Sequence, residues 1–121
     1  MRLFALRGAN SVESNTRESI LSATEALMQE LLERNALTAE QLVSCLFTVT
    51  EDLDAEFPAV AARDIGLNRV PLMCAREVPV PGSLPRVIRT LVHYYAAEDH
   101  QPRHVYLGET RVLRADLESA Q

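Results

Sequence analysis

The hydrophobic positions of the chain fall into short blocks that switch between two periods. Residues 2–8 are apolar with Arg at both ends and predict a first strand, whose alternation puts Leu3, Ala5 and Arg7 on one face. Gly8-Ala9-Asn10-Ser11 reads as its break. Asn15 has the character of a helix N-cap, with Glu18 at the third helical position. Ile20, Leu21, Thr24, Leu27, Met28, Leu31 and Leu32 then recur at three- and four-residue spacing, the strongest helical pattern in the chain, and Asn35 ends it. Thr38 and Gln41 cap one further short turn. Across residues 42–50, Val43, Cys45, Phe47 and Val49 alternate with the other set and predict a second strand. The acidic stretch 51–54 is a loop, and residues 57–63 read as a short helix with Pro58 in its first turn and Gly66 beyond its end.

Residues 69–79 predict another extended segment with a break. Pro81-Gly82-Ser83 is a turn, with Ser83 as a cap and Pro85 inside the first turn of a helix. Leu84, Val87, Ile88, Leu91, Val92 and Tyr95 trace one apolar face of that helix, leaving Arg86, Arg89 and His93 opposite. Residues 103–107 and 110–114 read as extended, joined through a kink at Gly108, and the polar tail from about residue 115 as mobile. The order strand, helix, strand, short helix, strand, helix, strand predicts an α+β or α/β domain with helices covering a sheet. Several strands are too apolar for one side to face water, so a neighbouring subunit is expected near the uncovered face.

Composition narrows the class. A chain of 121 residues fits one domain. Its 17 acidic against 12 basic residues give a net charge of -5, the wrong balance for nucleic-acid binding. No apolar run is long enough to span a bilayer, and the charged ends of the first apolar run do not fit a secretory signal, so the expectation is a cytoplasmic protein with no membrane partner. Cys45 and Cys74 make neither a disulfide framework nor a zinc site and read as free thiols. His100 and His104 have a metal-compatible spacing but no third ligand in view, so no metal or other cofactor is expected. Gly-x-Ser-x-Gly, Gly-x-Gly-x-x-Gly and Walker patterns are absent, which leaves nucleophilic and nucleotide chemistry unsupported.

What remains is arginine. All 12 basic residues are Arg, each a planar fork suited to carboxylates. Arg7, Arg63, Arg89 and Arg114 sit among apolar residues. Each alone is an ordinary surface cation; together they suit a small substrate with more than one carboxylate. Arg7 stands out, because a charge in an apolar strand needs a partner.

Ordered blocks along nearly the whole chain resemble a family. Leu6-Arg7-Gly8-Ala9 with Val12-Glu13, Phe57-Pro58-Ala59 through Arg63, Val70-Pro71 through Cys74 and Glu77, Arg89 after Leu84, His104-Val105-Tyr106-Leu107 and Leu113-Arg114-Ala115-Asp116-Leu117 together resemble the small trimeric chorismate mutases. The resemblance implies a single α+β domain of the pseudo-α/β-barrel kind, a mixed sheet covered by helices on one face, assembled as a homotrimer. It implies the Claisen rearrangement of chorismate to prephenate in phenylalanine and tyrosine biosynthesis, with no cofactor. By the same resemblance, Arg89 would donate to the ether oxygen. Arg7 and Tyr106 would bind the side-chain carboxylate, and Glu77 and Cys74 would engage the ring hydroxyl. Phe57, Ala59, Met73 and Leu113 would line the pocket, and Arg63 and Arg114 would close over it. One pocket would draw residues from two chains.

Val60 stands where some members carry Lys, and Met73 replaces a small polar residue of some members. Cys74 and Glu77 are three apart, so their meeting on one ligand predicts a bulge, kink or strand end between them. The alternatives from other classes are a Rid/YjgF-like trimeric imine deaminase and a non-catalytic module binding a small carboxylate. The deaminase needs one Arg for a carboxylate but not an Arg–Glu pair straddling an ether, and the module would show no turnover.

Overall fold

A computed structural model describes residues 1–113. Five strands form one mixed sheet: β1 (Arg2–Ser11), β2 (Leu42–Val49), β3 (Leu72–Arg76), β4 (Val87–Ala96) and β5 (Val105–Tyr106). Their order across the sheet is β3-β2-β4-β1-β5. The β1–β4 and β2–β4 pairs are antiparallel, and the two outer pairs are parallel. Helices α1 (Arg17–Arg34) and α2 (Ala59–Asp64) cover one face. The core lies between: Ile20, Leu27, Met28 and Leu31 of α1 pack on Phe4, Leu6, Phe47, Ile88, Val92 and Tyr94. No helix among the described residues is long and apolar enough to cross a membrane.

The largest correction concerns residues 84–95, where β4 replaces the expected helix. The apolar positions fit a 3.6-residue period, but Ile88, Thr90, Val92, Tyr94 and Ala96 also fit a period of two, and all five are buried. Val, Ile, Thr and Tyr dominate the segment, and such residues favour a pleated surface. Pro85 and Arg86, which has a φ of 49°, deny it a helical first turn. Ser83 caps nothing; its hydroxyl donates to Val80 O at 2.7 Å in the turn.

Smaller differences have local causes. β1 runs through the expected break at Gly8, because that glycine makes room for α1: a Cβ there would meet Leu31 Cδ1 at 3.0 Å. Thr16, not Asn15, caps α1, accepting from Ser19 N at 3.1 Å. The Asn15 side chain instead staples the 51–56 loop, accepting from Asp54 N at 3.0 Å and Ala55 N at 3.1 Å. Residues 108–110 form a 3-10 turn and 111–113 are helical, so the extended segment expected at 110–114 is not found over the described residues. Arg114 and the tail lie outside them.

The expected uncovered face is present. Leu3, Val43, Leu46, Met73 and Tyr95 are all exposed, although each belongs to a strand.

Candidate active site

Register explains how the polar residues are gathered. Ala9 pairs with Arg89 on one side and Tyr106 on the other, while Thr48 pairs with both Arg89 and Ala75. Paired residues share a face, so Ala75, Thr48, Arg89, Ala9 and Tyr106 make one row across all five strands. A neighbouring row runs Met73, Leu46, Leu91, Arg7. Both lie on the face away from the helices. Ala9 contributes only a methyl group between Arg89 and Tyr106.

Glu77 follows the end of β3 and turns onto this face. Its carboxylate accepts from Arg89 Nε at 3.1 and 3.2 Å and from Thr48 Oγ1 at 2.8 Å. Thr48 was not singled out in the sequence; only its register opposite Arg89 marks it. The Glu77 side chain is 16% exposed and that of Arg89 44%, so the anion is the shielded partner and the cation faces outward. A guanidinium has five N–H donors, and Glu77 engages only the one on Nε. The two terminal nitrogens are left oriented and available for an acceptor. Arg7 has no carboxylate partner among the described residues.

The second group of expected residues lies elsewhere. Cys74 pairs with Phe47, whose side chain is in the core, so Cys74 is on the helix side of β3. With Val49, Leu53, Phe57, Pro58 and Ala75 it lines a recess of about 350 Å³. Phe57 is 67% exposed at its rim. Ala59 is buried as the first residue of α2, and Arg63 is exposed on the same helix. Glu56 sits beside that helix with its carboxyl held below the usual range, chiefly by the Phe57 N–H and further by Arg17 at 3.0 Å and by Arg63.

Met73 lies on the opposite face from Cys74, in the row that ends at Arg7. Leu113 is half-buried, and Arg114 is outside the described residues. Of the interruptions expected between Cys74 and Glu77, the strand end is the one found: β3 keeps its register with β2 as far as Arg76 and stops there. It does not bring the two side chains together, because Cys74 is on the helix side while Glu77 reaches Arg89 on the other. The structure therefore brings together Arg89, Glu77 and Thr48, with Arg7 and Tyr106 in register beside them. It gathers Phe57, Cys74 and the start of α2 separately.

This fold and site define an α+β protein with an outward-facing guanidinium held by a shielded carboxylate. The chorismate mutase type I family model matches residues 3–117, and the chain belongs to that family. It is 55% identical to chorismate mutase AroH of Thermus thermophilus, over 96% of this chain and 97% of that protein. It is 40% identical to chorismate mutase AroH of Bacillus subtilis, over 97% and 94% respectively. A solved chorismate mutase structure from Clostridium thermocellum superposes with a TM-score of 0.87 at 43% identity, covering 90% of this chain and 98% of that one. The protein is accordingly an isomerase of aromatic amino acid biosynthesis that converts chorismate to prephenate. The imine deaminase and non-catalytic alternatives find no support in these comparisons.

Proposed function

We propose that the rearrangement takes place between two copies of the chain, in a homotrimer with three such sites. The observation that carries this reading is the separation described above. The Arg89–Glu77 pair and the Phe57–Cys74 recess belong to opposite sides of one sheet. A pocket using both needs the recess of a second copy. The exposed apolar residues of the uncovered face offer a surface for such a copy. Both cysteines are free, which accords with a cytoplasmic location.

The reaction breaks the ether C–O bond and forms a C–C bond within one molecule, with no proton or electron exchanged. Negative charge accumulates on the ether oxygen as the bond breaks. Arg89 stabilises it through its free terminal N–H groups, while Glu77 and Thr48 keep the guanidinium aimed. Arg7 and Tyr106 bind the side-chain carboxylate and hold the compact conformer needed for bond formation. Glu77 and Cys74, from different copies, engage the ring hydroxyl. Phe57, Ala59, Met73 and Leu113 provide the wall, and Arg63 and Arg114 lie at the entrance. The test is sedimentation of the purified protein alongside loss of chorismate absorbance. An active trimer is expected, and a stable, active monomer would overturn the shared site.

A further inference from the structure

We propose that His104 is a positioning residue that locks Arg7 and Tyr106 into one carboxylate-binding unit. The inference rests on the roles just assigned to those two residues. Strand β5 is only two residues long, pairing Val105 and Tyr106 with Gly8 and Ala9. Arg103 would be the next residue to extend the ladder. It is drawn off instead by the amide of Asn35, the residue capping the end of α1. Its N–H donates to Asn35 Oδ1 at 2.8 Å, and its carbonyl accepts from Asn35 Nδ2 at 3.0 Å. The Arg7 N–H then has no backbone acceptor on that side. The His104 imidazole fills the gap, with Nδ1 accepting from Arg7 N at 3.0 Å. A side chain thus ties the strand that bears Tyr106 to the residue that bears the guanidinium.

The bond sets the state of the ring. A backbone N–H can only donate, so Nδ1 must be unprotonated and the ring proton must sit on Nε2. Half-burial and the Arg7 charge both lower the His104 pKa from its ordinary 6.5. Arg7 on the neighbouring strand β1 is the charged group that shifts it. Protonation would set one donor against another and place a second cation beside Arg7. The β1–β5 tie would open at Arg7, two residues from Tyr106.

The test uses three variants of the full chain, with kcat, KM and thermal midpoint measured from about pH 5 to 8. Asn can place its amide oxygen where Nδ1 lies; Gln carries its amide one bond further out, and Leu has no acceptor. His104→Asn should keep a KM close to wild type at neutral pH. The native protein should show a rise in KM on acidification, and His104→Asn should lose it. His104→Gln and His104→Leu should raise KM by roughly three- to tenfold across the range, with a smaller effect on kcat. Arg7→Ala, run alongside, should raise KM strongly; an unchanged KM there would remove the carboxylate role of Arg7 itself. If Arg7→Ala loses affinity while His104→Leu keeps wild-type KM, the positioning role is wrong and the site reading survives. If the Gln and Leu variants fail to fold, the Asn variant still decides: an acid limb identical to wild type overturns the proposal.

Discussion

The polar row and the apolar recess are built by different means. Arg89, Thr48 and Tyr106 stand on strands whose partners fix their spacing, and Glu77 clamps the guanidinium from a shielded position. Phe57 and Cys74 stand on a loop and an edge strand, and Phe57 meets mostly solvent within its own chain. The contrast accords with the roles proposed for the two regions. A charge that stabilises a transition state must be aimed before the substrate arrives, because reorienting it during reaction would cost part of the gain. An apolar wall needs only area and something to close against. The aimed guanidinium therefore stands on the central strand β4, and Cys74 of the recess on the edge strand β3.

The sharpest break of this contrast is at Arg89. Arg89→Ala should lower kcat by roughly 100-fold or more with a smaller change in KM. Citrulline at the same position keeps the shape and donors but removes the charge; turnover as fast as wild type would leave conformational restriction as the whole explanation. On the other half, Phe57→Ala should raise KM by roughly tenfold. It should leave the unfolding midpoint almost unchanged, because an exposed side chain contributes little to folding. A large loss of stability would mean that Phe57 belongs to the core of its own chain. The smallest effect is chemical. Burial, outweighing a hydrogen bond with Thr90, pushes the Cys45 thiol up to about 11, whereas Cys74 is half-buried in the recess. An alkylating agent at about pH 8 should modify Cys74, spare Cys45 and lose its effect in the presence of chorismate. Peptide mapping that finds Cys45 modified first would contradict this.

The residues of the site were legible to different depths. Alternation alone puts Leu3, Ala5 and Arg7 on one face of β1, and the structure keeps them there. The 3.6-residue pattern of α1 is equally plain, because a long amphipathic helix has no strand that mimics it. β4 was not legible by period, since residues 87–96 satisfy both periods. Its β-branched and aromatic content was the usable cue. The consequence reaches the site: on a helix Arg89 would have no register with Thr48 or Ala9, whereas on β4 it is locked between them. Cys74 and Glu77 show the opposite limit. Their spacing pointed to an interruption, and β3 does end between them at Arg76, but spacing alone could not say that the two side chains stay on opposite sides of the sheet. Thr48 and His104 act through long-range pairings that no local pattern announces.

The shared site is tested most directly by mixing two damaged chains. Arg89→Ala removes the polar half and leaves the recess intact. Phe57→Arg puts a cation at the rim of the recess and leaves the polar half intact. Each protein alone should be nearly inactive. Unfolded together and refolded in equal amounts, they should recover about a quarter of wild-type activity, the share of interfaces that joins two intact halves in a random trimer. Activity no greater than the mean of the separately refolded parents would contradict a site divided between two copies and would place the whole reaction within one chain.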